Sequence, residues 1–300
     1  MRIFVTGAAG FIGSAVVKDL LEHGYQVLGL ARSDVSAEAI SKAGAEVHRG
    51  DLENLESLRS GAKASDGVIH LGFIHDFSNY AGAVAVDRAA IAAMGEAMAG
   101  TGNPLIIASG TLGKIVPRGE IATEDTEPER NSPLSERAKS ADLVKQLSKE
   151  KGIRGMVVQL TPTVHGPGDP QLIPRMIDMA RKTGIVTYIG DGSNRWPAVH
   201  LDDAAVLFRL ALEKGTPGAT YNAVAEQGVL IRDIMNVIGQ RLKLPVEEKS
   251  TQEGQAAMGL LSVFFGVDNP TSSEKTRKAL GWTPTKPGLL EDLEANYFDD

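Results

Sequence analysis

The sequence contains no cysteine, no block of basic residues and no apolar run long enough to cross a bilayer. Without cysteine, neither a disulfide framework nor a thiolate metal site or nucleophile is available, and we expect no bound metal. The 38 acidic and 31 basic side chains give a net charge of −7 and are spread along the chain, which argues against nucleic acid or an anionic membrane as a partner. The first residues, MRIFVTG, lack the pattern of a signal peptide, so we expect a cytoplasmic protein.

The length and composition are typical of a globular protein with more than one domain. Apolar residues make up 42% of the sequence and charged residues 23%, which is ordinary for globular proteins. A chain of 300 residues exceeds the size that one core usually fills, so a large domain with a smaller second one is expected.

Short segments rich in β-formers alternate with segments of helical periodicity in the first half of the chain. The predicted strands are RIFVT, QVLGL, AEVH, GVIHLG, PLIIAS and RGMVVQL. Repeated βαβ units imply a mostly parallel sheet with helices on both faces. We therefore predict an α/β fold, with a Rossmann doubly wound parallel sheet over residues 1–165 and a smaller mixed α/β substrate domain over residues 166–300. Segments such as 198–225 are able to pack back on the Rossmann domain.

The segment VTGAAGFIG places Gly7, Gly10 and Gly13 between the first strand and the first helix. Glycines at this spacing permit a tight turn, close approach of the backbone to a pyrophosphate, and close packing of helix on strand. The helix N-terminus adds free N–H groups and a partial positive charge. Because regular βα units follow, the motif predicts a dinucleotide site.

The same motif, with Thr6 before the glycines, resembles the signature of the extended short-chain dehydrogenase/reductase family. This epimerase/dehydratase-like family includes nucleotide-sugar epimerases, dehydratases and hydroxysteroid-type dehydrogenases. The segments GDLEN, VIHLG, TPTVHGPGD, RWPAVHLDDAA and SSEKTRKALGWTP are similar to family motifs in order and spacing. The resemblance implies an NAD(P) cofactor bound by Thr6, Gly7, Ala9, Gly10, Phe11, Ile12, Gly13, Arg32, Ser33, Asp51, Leu52, Leu71 and Gly72.

The end of the second strand bears on the choice between NADP and NAD. An acidic residue there binds the ribose 2′-hydroxyl of NAD, whereas an arginine accommodates the 2′-phosphate of NADP. The strand ends at Ala31, and Arg32 and Ser33 follow. Asp34 lies about twenty residues after the last glycine, where NAD-binding proteins have the acidic residue. We nevertheless place Asp34 beyond the strand, as the N-cap of the next helix. The pattern favours NADP, with NAD as the alternative.

Redox members of the family use a Tyr-x-x-x-Lys pair on the helix before strand six, where the phenol transfers the proton. The five tyrosines of this chain all lie elsewhere: Tyr25, Tyr80, Tyr188, Tyr221 and Tyr297. Aligning the lysine with Lys139 places Ser135 at the tyrosine position. Matching residues 141–142 to the family's Ala-Glu instead places Leu134 and Ala138 at the two positions. Under either alignment the residue at the tyrosine position is not a tyrosine, so the active site is atypical for the family.

Other side chains are candidates for substrate binding and proton transfer. Ser109 and Thr111 follow strand five, and Thr111 is preferred for holding the substrate oxygen because Gly110 shifts the count. An imidazole group can act as acid or base, so His165 is a candidate proton donor beside Lys139 and Ser135, although a histidine in a turn also has structural roles. The predicted substrate contacts are Phe73, His75, Arg195 and Trp196, the last two of which form a pair that also suits packing.

The segment Ala256 to Val267 is either a core helix or a lid that places Met258, Phe264 and Phe265 over an apolar substrate. We expect an NADP-dependent oxidoreductase that acts on a small apolar carbonyl or alcohol. The alternatives are a non-catalytic NADP-binding sensor or partner-binding protein, and epimerase/dehydratase-type chemistry on retained cofactor. A small-molecule substrate is the expected partner, and a homodimer is a possible assembly.

Overall fold

The computed structural model describes residues 1–76, 79–130, 136–253 and 265–298. Its centre is a sheet of seven parallel strands: β1 (Arg2–Thr6), β2 (Gln26–Ala31), β3 (Glu46–Arg49), β4 (Gly67–His70), β5 (Pro104–Gly110), β6 (Arg154–Leu160) and β10 (Thr220–Ala223). Their spatial order is β3-β2-β1-β4-β5-β6-β10. The order reverses between β1 and β4, so a crevice opens there at the carboxyl ends of the strands. The predicted Rossmann sheet is confirmed.

Six helices cover this sheet: α1 (Phe11–Glu22), α2 (Asp34–Lys42), α3 (Leu55–Lys63), α4 (Tyr80–Ala97), α5 (Ala138–Lys151) and α7 (Leu201–Lys214). Successive side chains of a strand point to opposite faces, and both faces of β1 are buried. Ile3 and Val5 pack in the core that includes α1 and α7, whereas Phe4 packs in the core that includes α3, α4 and α5. Burial on both faces explains why the strands read as continuous apolar runs.

The remaining elements form a smaller mixed region. Its strands are β7 (Thr163–His165), β8 (Val186–Ile189), β9 (Arg195–His200), β11 (Glu226–Leu230) and β12 (Val246–Lys249). They form a three-stranded sheet, β11-β9-β7, and a two-stranded sheet, β12-β8. The helices of this region are α6 (Leu172–Thr183), α8 (Ile231–Leu242) and α10 (Leu289–Asn296), whereas α9 (Glu274–Leu280) packs against β10 and α7 of the large sheet. A separate apolar core, which includes Met176, Trp196 and Ile234, holds this region together.

Part of the second half of the chain returns to the large sheet. Strand β10 pairs with β6 in parallel, with Tyr221 opposite Val158. Helix α7 packs against α1 in the same core. The division of the chain at residue 165 stays a prediction. No helix within the described ranges is both long and apolar enough to span a membrane.

Candidate active site

The turn after β1 has the geometry that its glycines predict. Gly7 has φ +69°, and a Cβ atom at Gly13 would lie 1.9 Å from the Gly7 carbonyl oxygen, so α1 approaches the turn closely only because position 13 has no side chain. Gly10 is the N-cap of α1, and no side chain caps this helix end. The first turn of α1 is therefore a site where backbone N–H groups can bind an anion such as a pyrophosphate.

A cavity of about 1200 Å³ is lined both by this turn and by the residues that follow β4, β5 and β6. The predicted cofactor residues on its wall are Gly7, Ala9, Gly10, Phe11, Ile12, Gly13, Arg32, Ser33, Asp51, Leu52, Leu71 and Gly72. Thr6 is fully buried instead, and its hydroxyl accepts a hydrogen bond from the Gly72 backbone N–H at 3.0 Å. Thr6 therefore fixes the loop after β4 rather than facing the cavity. The wall fits a dinucleotide, and individual contacts with it stay predictions.

The end of β2 is where the adenine ribose of a dinucleotide binds in this kind of fold. There the cavity wall has a guanidinium group and a hydroxyl, from Arg32 and Ser33. Ala31 is buried, while Arg32 and Ser33 line the cavity. Asp34 is exposed, and its carboxylate accepts a hydrogen bond from Arg49 at 2.7 Å. The predicted N-cap role of Asp34 is wrong by one position, because the Ser33 hydroxyl caps α2 by accepting the Ser36 N–H at 3.2 Å.

Helix α5 presents no tyrosine to the cavity. Ala138, Ala141, Asp142 and Lys145 line the wall, at the i, i+3, i+4, i+7 spacing of one helix face. Lys139 lies outside that face, where its exposed ammonium group binds Glu136 at 2.7 Å. This position corrects the expectation that Lys139 transfers a proton. Ser135 and Leu134 lie outside the described residues.

The loop after β5 offers one hydroxyl to the cavity more readily than the other. Thr111 is completely buried, and its hydroxyl donates to Asn269 Oδ1 at 2.9 Å. The Ser109 hydroxyl makes no hydrogen bond to the described residues, and Ser109 lines the cavity with 5% of its surface exposed. The preference for Thr111 over Ser109 as the residue that holds the substrate oxygen is therefore reversed.

His165 lies in a buried polar cluster outside the cavity wall. Its Nδ1 is 2.8 Å from the Asp292 carboxylate on α10, and its ring meets the His200 ring edge to face at 5.4 Å. Burial alone would raise the pKa of Asp292, but hydrogen bonds from His165 and Asn296 outweigh it and lower that pKa. His165 is a structural residue that fastens β7 to α10, which corrects its predicted role as proton donor.

Arg195 and Trp196 also lie away from the cavity wall. Arg195 forms a two-point ion pair with Asp268, with Nη2 to Oδ2 at 2.9 Å and Nε to Oδ1 at 3.1 Å. Trp196 is fully buried and stacks on Phe265 with ring centroids 5.8 Å apart. Packing, rather than the predicted substrate contact, explains this pair. Phe265 is a core residue, and Met258 and Phe264, the other two residues proposed to cover the substrate, lie outside the described residues.

Comparison with known proteins agrees with this geometry. The sequence model of the NAD dependent epimerase/dehydratase family matches residues 3–223 of this chain. The chain belongs to this family. It is therefore an NAD(P)-binding protein of the extended short-chain dehydrogenase/reductase type.

Three relatives show how far the likeness extends. An uncharacterized protein of Schizosaccharomyces pombe is 46% identical over 99% of this chain and 100% of its own length. The 2-alkyl-3-oxoalkanoate reductase of Stenotrophomonas maltophilia is 30% identical over 73% of this chain and 67% of its own. The crystal structure of DesIV, a dTDP-glucose 4,6-dehydratase from Streptomyces venezuelae with NAD bound, is 19% identical with a TM-score of 0.81, and the match covers 99% and 96% of the two chains. At this identity the DesIV likeness establishes the fold alone.

This member of the epimerase/dehydratase family brings a tyrosine to the cavity from a different helix. Tyr80, the first residue of α4, lines the cavity with its ring 6.0 Å from Phe73. Burial raises the pKa of Tyr80, and the positive charge of Arg137 partly offsets this effect. Phe73 and His75 line the cavity as the sequence indicated, with their rings 5.3 Å apart.

Arg137 is a second site residue that sequence reasoning missed. It precedes α5, and its guanidinium group lies 4.3 Å over the Phe73 ring. Its Nη2 donates to the Ala108 carbonyl oxygen at 2.7 Å and lies 3.6 Å from Asp87 Oδ1. An arginine in a loop next to a predicted helix gives no local signal of this placement.

Lys114 is a third such residue. Only 1% of its surface is exposed, and its ammonium group donates to the Thr123 carbonyl oxygen at 2.6 Å. Burial lowers the pKa of Lys114 to about 8, and the nearby Glu124 carboxylate opposes that shift. Its position three residues after Thr111, in a segment already assigned to the site, is the one signal that could have identified it.

A buried chain of polar contacts connects β1 to α5 beneath the cavity. Thr6 Oγ1 lies 2.7 Å from His70 Nδ1, and His70 Nε2 lies 3.2 Å from Asp87 Oδ1. The Ser140 hydroxyl donates to Asp87 Oδ2 at 2.5 Å. Burial alone would raise the pKa of Asp87, but its hydrogen bonds and the charge of Arg137 lower it. A buried carboxylate with these partners fixes the position of α5 relative to the glycine-rich turn.

Proposed function

We propose that the protein is an NADP-dependent reductase of a small carbonyl compound with an apolar body. The observation that carries this proposal is that one cavity is lined both by the dinucleotide turn and by the apolar residues Leu112, Leu160, Pro162 and Leu172. Ser109 and Tyr80 place a hydroxyl and a phenol on the same wall. The Stenotrophomonas relative, a 2-alkyl-3-oxoalkanoate reductase, supports carbonyl reduction.

NADP is favoured over NAD by the groups around the end of β2. No carboxylate lies at the end of that strand, where Ala31 is buried. Arg32 on the cavity wall suits a 2′-phosphate, because a guanidinium group binds phosphate at two points. The Asp34 carboxylate, which would oppose a phosphate, is held by Arg49.

The proposed reaction needs a hydride and a proton. Bound NADPH would supply the hydride. Ser109 would hold the substrate oxygen, and the Tyr80 phenol would donate the proton that the oxygen takes up. A phenol with a raised pKa remains protonated at neutral pH, so Tyr80 is in the form that an acid requires. The charge of Arg137 stabilises the phenolate that forms.

Measurement of NADPH oxidation by the purified protein across aldehydes, ketones and oxo acids tests the proposal. We expect turnover with at least one class and tighter binding of NADPH than NADH. Stoichiometric NADPH binding with no oxidation across the whole panel would instead favour a non-catalytic sensor. Conversion of a nucleotide sugar without net consumption of cofactor would favour epimerase-type chemistry.

A further inference from the structure

The cavity wall beyond the glycine-rich turn carries an excess of positive charge. Its cations are Lys114, Arg137, Lys145 and Arg175, and its carboxylates are Glu124, Glu127 and Asp142. Two of these carboxylates, Glu127 and Asp142, bind Arg130, which is not on the wall. The single charge of Arg130 therefore offsets one of these two negative charges from outside the cavity.

Two wall cations have no such partner. The side chains of Lys145 and Arg175 make no ion pair or hydrogen bond within the described part of the chain. A cation without a partner beside apolar surface is a favourable position for an anionic ligand.

Arg137 is held in place for binding. Its contacts with Phe73 and Ala108 fix the guanidinium plane, and its side chain remains 21% exposed. The Nη1 group makes no hydrogen bond to the described residues, so it keeps donors for a ligand. A guanidinium group that packing has already fixed loses little rotational freedom when it binds a carboxylate.

Arg175 comes from α6, in the other region of the fold, and lines the same cavity as Arg137. The pKa of His75 is lowered first by its partial burial and then by the positive charges of both Arg137 and Arg175. His75 also contacts Phe73, on which Arg137 lies. Both guanidinium groups therefore line the cavity that Phe73 and His75 also line, and the charge of each reaches His75.

We propose that Arg137 and Arg175 bind a carboxylate of the substrate, so that the protein reduces oxo acids in preference to neutral ketones. This inference rests on the proposed reductase function. A planar guanidinium group matches a carboxylate at two points. The apolar wall of Leu112, Pro162 and Leu172 then contacts the rest of the substrate. An apolar oxo acid satisfies both kinds of surface.

The test uses four substrates with one apolar body. Benzoylacetate carries the carboxylate, methyl benzoylacetate masks it as an ester, acetophenone lacks it, and phenacyl phosphate replaces it with a phosphate. We expect kcat/KM for the acid to exceed that for the ester by about tenfold or more, because only the acid forms charge-assisted hydrogen bonds with the two guanidinium groups. Equal values for acid and ester, or a preference for the phosphate, would overturn the carboxylate assignment.

Arg175→Gln should reduce kcat/KM for the acid about tenfold while leaving the ester almost unchanged. Arg137→Gln should reduce kcat/KM for both substrates, because its charge also stabilises the Tyr80 phenolate, but by about tenfold more for the acid than for the ester. Arg181→Gln is the matched control on α6, since Arg181 faces Asp178 at 3.9 Å. Lys139→Gln is the control on α5, since Lys139 binds Glu136 outside the cavity wall. An equal loss for acid and ester in Arg175→Gln would contradict the assignment even if Arg137→Gln fails to fold.

A binding measurement separates failure of this inference from failure of the proposed function. Hydrocinnamate has the shape of benzoylacetate without its carbonyl group. Calorimetry with the NADP complex should show binding that Arg175→Gln weakens about tenfold. Turnover of the ester and ketone alone, without hydrocinnamate binding, would refute the carboxylate site and leave the reductase. Hydrocinnamate binding without turnover of any carbonyl would refute the reductase and leave the anion site.

Discussion

His165 Nδ1 lies 2.8 Å from the carboxylate of Asp292, and both side chains are 1% exposed. The pair connects β7 to α10, at a distance of 127 residues along the sequence. The neighbouring residue Val164 lines the cavity, whereas His165 points to the opposite side of the strand. His165 therefore has a structural role, although its neighbour in the sequence lines the active site.

Breaking this pair should reduce stability without affecting chemistry. His165→Ala or Asp292→Asn leaves a buried partner uncompensated, and each should lower the free energy of unfolding by about 3 kcal/mol. Urea denaturation measures this change. His23→Ala, at an exposed site, is the control and should change it by less than about 0.5 kcal/mol. A large fall in kcat for His165→Ala with unchanged stability would show that His165 takes part in catalysis.

Arg32→Ala should weaken NADPH binding about tenfold to a hundredfold, because it removes charge-assisted hydrogen bonds to the 2′-phosphate. NADH binding should stay nearly constant, since NADH has no such phosphate. Fluorescence titration gives both dissociation constants. Lys42→Ala is the control, since Lys42 binds Glu38 on the exposed face of α2. Equal weakening of NADH and NADPH binding would remove Arg32 from the 2′-phosphate site.

Tyr80→Phe should lower kcat about tenfold or more, the lower range for loss of a general acid, while the dissociation constant of NADPH is kept. Tyr25→Phe is the control, because the Tyr25 hydroxyl contacts Glu213 away from the cavity. Steady-state kinetics with the best substrate of the panel measure both variants. Indistinguishable rates for the two would show that the proton comes from another group.

Lys114 should make stability depend on pH. Its pKa is about 8 in the folded chain and about 10.5 when unfolded, so unfolding takes up a proton between these pH values. The free energy of unfolding of the wild type should therefore rise with pH relative to Lys114→Met, by on the order of 3 kcal/mol across that range. Denaturation at several pH values measures it, and Lys139→Met corrects for loss of one surface charge. A constant difference between wild type and Lys114→Met would show that the ammonium group is not desolvated.

The fold could be predicted from the sequence because its signals are local. Gly7, Gly10 and Gly13 report a turn that neighbouring residues complete, and apolar runs between helical segments report a parallel sheet buried on both faces. The handedness and short connections of βαβ units then leave only a few possible strand orders.

The site was less predictable because its members meet only through tertiary packing. Tyr80 and Arg137 are 57 positions apart, and they enter one cavity because Phe73 lies between them. Lys139 is a candidate because it can be aligned with the family's lysine, which places Ser135 at the tyrosine position, yet one step along a helix rotates a side chain by about 100°, which is enough to take it off the cavity wall. The Thr111 hydroxyl was unavailable for a reason that no local pattern contains, namely its bond to Asn269.

The pairing of β10 with β6 has a consequence for how the protein is made. A ribosome releases the chain from its N-terminus, so residues 154–160 emerge long before residues 220–223 that cover their free edge. Until then the nascent sheet ends in an unpaired apolar strand, the kind of edge on which other chains aggregate. A message truncated between these two segments would yield a product that chaperones must hold or proteases remove.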